Sequence, residues 1–191
     1  DRFRQLGHPE KFTGGRISAI LPLNADTILV TTIQNGIFYF AGNTFEPWKT
    51  QDDNLIINNR IYCADLLADG KLALGTSLNG LVILDRQRRI CHHLNKKSGL
   101  QNNTVLSLFT SKNGGLWLGL DKGIDFVDVH SPFSTFFPDG ELQGTGYTAG
   151  INNGKLYFGT NTGLYATDWK SYYAPGEKEK FSPVQNSDGQ V

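Results

Sequence analysis

The segment Thr104–Val129, TVLSLFTSKNGGLWLGLDKGIDFVDV, contains the structural pattern that recurs through the chain. Its three short apolar runs predict three β-strands, Val105–Phe109, Leu116–Leu120 and Ile124–Val129. The runs are separated by turns rich in Asn and Gly, residues that accept the positive φ of tight hairpins. Three hairpin-linked strands are not stable alone, so the segment is expected to pack against copies of itself.

The same plan recurs in the sequence at a nearly constant interval. The glycine of the second turn is Gly36, Gly80, Gly123 and Gly163, at spacings of 44, 43 and 40 residues. A four-stranded unit repeated every 40–45 residues or so is typical of a β-propeller blade. The predicted fourth strands are Phe45–Lys49, Ile90–Leu94, Phe133–Phe137 and Phe181–Val184.

Alignment of the copies gives columns with a physical meaning. The centre of the first strand is always small, which suits the crowded axis of a propeller: Ala19, Cys63, Ser107 and Ala149. A column of the second strand holds Leu29, Ala73, Trp117 and Tyr157 and is expected to pack between blades. Glycines at 75, 119 and 159 lie inside strands, where a close approach by the next blade is expected.

The sequence therefore predicts an all-β chain, a β-propeller fragment of about four four-stranded antiparallel blades with partial blades at both ends. The expected division is the end of a preceding blade (1–15), blades one to four (16–59, 60–103, 104–144 and 145–185, with an insertion at 170–180) and the start of a next blade (186–191). All belong to one truncated propeller domain, which is expected to self-associate or form a homodimer through its exposed blade edges.

Composition excludes several functional classes. The 18 basic and 18 acidic residues give a formal net charge of zero, which argues against nucleic acid or an anionic membrane surface as the main partner. No apolar run is long enough to span a bilayer, and the absence of Met with Asp at position 1 indicates a processed or excised chain. Cys63 and Cys91 fall on the inner and outer strands of one blade, too far apart for a disulfide, and are predicted to be free thiols.

The string NNTVLSLFTSKNGGLWLGLDKGIDFVD (102–128) resembles the two-component regulator propeller repeat. The matching features are Asn103 before the first strand, Gly114 in the turn, Leu116-Trp117-Leu118-Gly119, Gly123 and Asp128. Blades two (ADGKLALGTSLNGLVILD) and four (NNGKLYFGTNTGLYATD) follow the pattern without the Trp, and blade one follows it weakly.

This resemblance implies a function, whereas the residues alone do not indicate one. Such repeats are similar to those in the periplasmic sensor region of Bacteroidetes hybrid two-component systems, in which propellers precede a membrane helix and a histidine kinase. The resemblance implies a non-catalytic sensor of glycan-derived oligosaccharide, in the periplasmic portion of an inner-membrane protein. Contact with the membrane would come only through other parts of the parent chain.

Candidate ligand-binding residues lie in the loops that join one blade to the next, because these loops differ while the strands repeat. The loops are 50–59, 95–103 and 139–144, and their polar groups are Asp52, Asp53, Asn54, Lys96, Lys97 and Glu141. Trp48 and Trp169 are less constrained by the repeat and are further candidates, as stacking platforms for a sugar ring or as rim contacts.

The sequence offers no catalytic, cofactor or metal motif. His92 and His93 are adjacent on a strand, so they are expected to point to opposite faces and cannot share one metal ion. No nucleophile elbow or phosphate-binding loop is present. Two alternatives to a sensor remain open, a propeller hydrolase or lyase with acids brought together from different blades, and a protein-interaction scaffold.

Overall fold

The computed structural model describes residues 15–131, 146–170 and 181–185. Within them, antiparallel strands form four separate sheets, each built from strands that follow one another in sequence. The chain divides into two compact units, residues 1–131 and 132–191. The predicted all-β fold with four-stranded antiparallel blades is confirmed, and "blade" is used below for each of these sheets.

The first unit contains blades one, two and three. Blade one has β1 (Ile17–Asn24), β2 (Thr27–Thr32), β3 (Ile37–Ala41) and β4 (Thr44–Pro47); blade two has β5 (Ile61–Leu66), β6 (Leu72–Thr76), β7 (Leu81–Leu84) and β8 (Ile90–Leu94). Blade three has β9 (Val105–Thr110), β10 (Leu116–Leu120) and β11 (Ile124–Val127). Its predicted fourth strand, Phe133–Phe137, lies outside the described residues.

Two short helices lie in the connections between these blades. An α-helix, α1 (Asp53–Asn58), joins β4 to β5, and a 3-10 helix (Lys96–Ser98) joins β8 to β9. The sequence predicted loops at both places.

The second unit contains blade four. It comprises β12 (Gly146–Asn152), β13 (Lys155–Thr160), β14 (Gly163–Asp168) and β15 (Ser182–Pro183), paired in that order. β15 lies within the predicted Phe181–Val184 and pairs with Tyr165 and Ala166 of β14. Most of the predicted insertion, residues 171–180, lies outside the described residues.

The middle strands of blade two are buried on both faces. All four residues of β7, Leu-Val-Ile-Leu, are fully buried. Val82 and Leu84 pack in a cluster with residues of blade one, whereas Leu81 and Ile83 pack with residues of blade three. A strand covered on both faces reads as a continuous apolar run, because neither face meets water. Each such side chain contributes about 1.5–3 kcal/mol by leaving water.

A threonine at the end of the second strand closes the following turn in blades one, two and four. Its hydroxyl donates to the carbonyl oxygen of the turn glycine and accepts a backbone N–H from within the turn. The pairs are Thr32–Gly36 (2.8 Å), Thr76–Gly80 (2.9 Å) and Thr160–Gly163 (3.0 Å). Blade three has Leu120 at this position and keeps only the backbone bond to Gly123, at 3.0 Å. The recurring glycine is therefore part of a recurring hydrogen-bonded turn.

The first strand of every blade has an irregularity at the same place, and this corrects one predicted column. The register shifts lie between Ile17 and Ala19, Ile61 and Cys63, Val105 and Ser107, and Gly146 and Thr148. In blade four Thr148, not Ala149, stands opposite Gly159 and is the true equivalent of Cys63. The predicted column was wrong there by one residue, because the first hairpin of blade four is one residue shorter: Thr148 and Gly159 are 11 residues apart, whereas Cys63 and Gly75 are 12 apart.

The in-strand glycines make room for side chains of the first strand. A Cβ at Gly75 would overlap the Cys63 sulfur and lie 2.7 Å from Cγ1 of Val105 in blade three, so the predicted approach of the next blade is present here. At Gly119 and Gly159 the nearest groups are Ser107 and Thr148 of the same blade. All three glycines therefore leave space for a side chain of the first strand in their own blade.

The turn glycine of blade two predicts a measurable contrast with another positive-φ glycine. Gly80 has φ +78°, and a Cβ there would collide with the carbonyl oxygen of Leu94, whereas Gly42 has φ +56° and open space around it. We expect Gly42→Ala to lower the free energy of unfolding by about 1–2 kcal/mol, and Gly80→Ala to cost about 1–3 kcal/mol more, as overpacking does. Urea denaturation of both variants measures the difference, and equal losses would contradict the role assigned to Gly80.

Candidate functional site

The candidates Asp52, Asp53 and Asn54 lie together at the start of α1. Asp52 is the N-cap, and its carboxylate accepts the Leu55 N–H at 2.9 Å. Asp53 accepts the N–H and the hydroxyl of Thr50, both at 2.8 Å, and forms an ion pair with Lys49 at 3.0 Å. Partial burial opposes ionisation of Asp53, but these contacts together hold its pKa below the ordinary value. Both carboxylates therefore hold the loop in shape; Asp52 and Asn54 are exposed, whereas Asp53 is half-buried.

The candidates Lys96 and Lys97 lie in the 3-10 helix between blades two and three. Asn95 caps this helix, since its side chain accepts the Lys97 N–H at 2.9 Å, while the Ser98 hydroxyl accepts the Asn95 N–H at 2.7 Å. This reciprocal arrangement is a capping box. Both lysines are exposed, and no carboxylate of the described residues forms an ion pair with either. No hydrogen bond or ion pair in this part of the chain joins them to Asp52–Asn54.

The tryptophan candidates occupy different units. Trp48 is half-buried against the apolar cluster between blades one and two, and the Arg88 guanidinium lies over its ring, 4.9 Å from the centroid. Trp169 follows β14, and 42% of its surface is exposed. Its backbone N–H donates to the Gly154 carbonyl at 2.8 Å. Glu141 lies outside the described residues.

A cleft between blades one and two was missed by the sequence reasoning. Its volume is about 320 Å³. It is lined by Leu23, Leu29, Trp48, Leu66, Gly70, Leu72, Asp85, Arg86 and Arg88. One sequence signal could have drawn attention to it, because the turn after β7 reads Arg86-Gln87-Arg88-Arg89 where blade one has Gly42-Asn43.

Trp117 lies in a different environment from the one predicted. It is 45% exposed and contacts Phe126 at a centroid distance of 5.0 Å. Phe109 and Phe126 flank it on the neighbouring strands, and they are 66% and 53% exposed. Leu29 and Ala73, which share its column, are buried between blades. Blade three thus carries an exposed aromatic row on the face opposite its contact with blade two.

The histidines and cysteines of the described residues show no arrangement for metal binding or nucleophilic chemistry. His92 is exposed and His93 is 5% exposed with its Nε2 bonded to the Asn79 carbonyl at 3.0 Å, so they occupy opposite faces as predicted. No three His, Cys, Asp or Glu side chains in residues 15–131, 146–170 and 181–185 are placed to hold a metal ion. Both cysteines are free thiols, as predicted, and burial raises the pKa of Cys63 to about 12. At neutral pH the Cys63 thiol is protonated and unreactive.

The shifted carboxyl groups of the described chain are all more acidic than usual. They are Asp53, Asp69 and Asp85. Burial opposes ionisation of Asp69 and Asp85, but hydrogen bonds and charge from Lys71 and Arg89, respectively, outweigh it and lower each pKa. A general acid for glycoside hydrolysis needs the opposite shift.

His93 predicts a pH dependence of stability near neutrality. Burial lowers its pKa below the ordinary 6.5 despite the bond to Asn79, so in the window below pH 6.5 the unfolded chain binds more protons than the folded one. The free energy of unfolding is therefore expected to fall as the pH drops from about 7 to about 5. The pKa of His92 is also lowered, by partial desolvation and by the charge of Lys71, so His93→Gln is expected to reduce this slope without abolishing it.

Urea denaturation of the wild type and His93→Gln at several pH values measures this dependence. The Asp53, Asp69 and Asp85 carboxyls titrate below their ordinary value of 3.8 and do not interfere in this range. An identical slope in the two proteins would show that His93 does not carry the effect.

Comparison with known proteins identifies the repeat in blade three. Residues 99–122 match the family described as two component regulator propeller. The match runs from the loop before β9 to the turn after β10, so the resemblance inferred from this stretch is confirmed. No curated protein matches the chain.

Several solved structures are similar to this chain. The extracellular domain of the putative hybrid two component system BT3049 from B. thetaiotaomicron is 19% identical with a TM-score of 0.52, and the match covers 80% of this chain and 22% of that one. The corresponding domain of BT4673 from the same organism is 16% identical with a TM-score of 0.48, covering 92% and 25%. The computationally designed Ika4 protein is 14% identical with a TM-score of 0.50, covering 88% and 100%. The chain thus spans about a quarter or less of the natural domains that it resembles.

Proposed function

We propose that this chain is a non-catalytic extracytoplasmic sensor segment of a hybrid two-component signalling protein that detects glycan-derived oligosaccharides. The observation that carries the proposal is the match of residues 99–122 to the two component regulator propeller family, within a chain whose blades repeat that unit. The solved structure with the same fold that is an extracellular domain of a putative hybrid two component system supports it.

The blade-joining loops are the proposed ligand contacts. The strands repeat, while one connection contains α1 and the next contains a capped 3-10 helix. Loops that vary on a constant scaffold are where recognition usually resides. Asn54, Lys96 and Lys97 present exposed polar groups there, and Trp169 adds an exposed aromatic surface in the second unit.

Signal transfer would use a histidine kinase in the parent protein, on the other side of an inner membrane. A ligand can transmit a signal only if it binds one arrangement of the protein better than another. None of the helices in the described residues is both long and apolar enough to cross a bilayer. The membrane anchor and the kinase are proposed to belong to other parts of the parent chain.

Oligosaccharide binding is testable with a matched pair of lysine variants. Lys97 lies in the loop between blades two and three, and Lys112 lies in the turn between β9 and β10; both are exposed. In calorimetric titrations with glycan oligosaccharides, Lys97→Ala is expected to weaken binding about tenfold, as loss of a charged hydrogen bond does. Lys112→Ala should bind as the wild type does, and equal binding by all three proteins would move the ligand site away from this loop.

The signalling role is testable from the gene. The complete reading frame is expected to encode a membrane-spanning helix followed by a histidine kinase. A reading frame that encodes neither would contradict the proposal, whatever the chain binds.

Self-association is a second proposal, favoured by the exposed aromatic row of blade three. Phe109, Trp117 and Phe126 form a contiguous apolar surface of the kind found at protein interfaces. Sedimentation equilibrium is expected to show a dimer that Trp117→Ser weakens about tenfold or more. Leu78→Ser, at a residue that is 53% exposed in a turn of blade two, is the control and should leave the dimer intact. A wild-type chain that stays monomeric at high concentration would end this proposal.

A further inference from the structure

The cleft between blades one and two combines an apolar floor with two guanidinium groups. Leu23 and Leu29 of blade one and Leu66 and Leu72 of blade two form the floor. We propose that this cleft binds a small organic anion with an apolar body, such as an aryl or alkyl carboxylate. No residue of the loops proposed above to bind oligosaccharide lines the cleft, and the site does not depend on that proposal.

The charges around the cleft leave the two guanidiniums uncompensated. The Asp85 carboxylate forms an ion pair with Arg89 at 2.8 Å, and Asp69 forms one with Lys71 at 2.7 Å. No carboxylate of the described residues forms an ion pair with Arg86 or Arg88. Two exposed guanidiniums therefore line a largely apolar cleft, where both are open to an anion.

Arg88 is held in place by its backbone and by Trp48. Its φ of +65° is a left-handed conformation that is unfavourable for Arg. In the corresponding turn of blade one, the residues with positive φ are Gly42 and Asn43, which adopt this conformation more readily. The Arg88 carbonyl accepts the Gln51 N–H at 3.0 Å, and its guanidinium lies over the Trp48 ring. Strain of this kind persists where the surrounding contacts fix it, and it is found preferentially at functional sites.

Arg86 is fixed by a different contact. Its Nε–H donates to the Asp69 carbonyl oxygen at 2.8 Å, and the side chain crosses Gly70, where a Cβ would lie 2.7 Å from Nε. The terminal N–H groups of Arg86 make no hydrogen bond to other described residues, so they are available to a ligand. Both guanidiniums are thus positioned before any ligand arrives, which lowers the entropic cost of binding.

The lining selects the class of ligand. A guanidinium binds a carboxylate or sulfate through two parallel hydrogen bonds. The volume of about 320 Å³ suits a small molecule. Apart from the three charged residues, no lining side chain offers a hydroxyl or an amide, so a neutral sugar would find few partners for its hydroxyl groups. The four leucines instead favour an apolar body.

Titration calorimetry of the whole chain with three probes tests the proposal. The probes are 4-phenylbutyrate, the uncharged 4-phenylbutanol and glucuronate, which is charged but lacks an apolar body. We expect 4-phenylbutyrate to bind with a dissociation constant on the order of 1 mM, and the other two at least about tenfold more weakly. Failure of 4-phenylbutyrate to bind, or equal binding of either other probe, overturns the proposal.

Three variants locate the binding. Arg88→Gly removes the guanidinium and relieves the left-handed strain, so the variant is expected to fold, and Arg86→Gln removes the other charge. Each should weaken 4-phenylbutyrate about tenfold or more. Arg60→Gly is the matched control, because Arg60 is exposed, has φ +58° and lies between α1 and β5. Equal weakening by Arg60→Gly would assign the effect to net charge and overturn the site, whereas unchanged binding supports it.

Discussion

Burial of each blade by its neighbours is the constraint on which the first unit depends. β7 has no face that could meet water, since alternate residues pack against blade one and blade three. Hydrogen bonds reinforce the contact between blades two and three: the Gly80 N–H donates to the Asn103 carbonyl at 2.7 Å, and the Thr110 hydroxyl donates to the Asp65 carboxylate at 2.6 Å. A blade with two apolar faces cannot be stable alone, so the sequence must repeat, and the repeat must keep its geometry.

The need for constant geometry explains which positions vary. The Thr–Gly turn and the in-strand glycines are fixed by hydrogen bonds and by lack of space, so function cannot easily be placed there. The connections between blades and the outer turns are less constrained by such hydrogen bonds and close contacts. Blade one uses Gly42-Asn43 in the turn between its last two strands, whereas blade two uses an arginine-rich turn and accepts backbone strain at Arg88. Variation is thus concentrated at the ends and edges of the blades.

The sequence predicts those features of the fold that depend on residues close together in the chain. Turn glycines and apolar runs located the strands closely, Ile90–Leu94 among them, because hairpin geometry depends on neighbouring residues. The helix α1 was missed although Asp52 is a good N-cap, since DDNLIIN was read as a polar loop. The register of β12 was missed because the first hairpin of blade four is one residue shorter than those of the other blades. The cleft was missed because Trp48 and Arg88 are far apart in sequence and meet only when two blades pack.

The position of the cleft between two blades has a consequence for any ligand bound there. Leu29 and Trp48 belong to blade one, while Leu72, Arg86 and Arg88 belong to blade two. The binding energy of such a ligand depends on how the two blades are placed, whereas a ligand held by one blade alone gains nothing from their arrangement. Only the first kind has the differential affinity that can shift a conformational equilibrium. An occupied cleft would therefore stabilise one packing of blades one and two, and this coupling follows from the contacts that also hold the blades together.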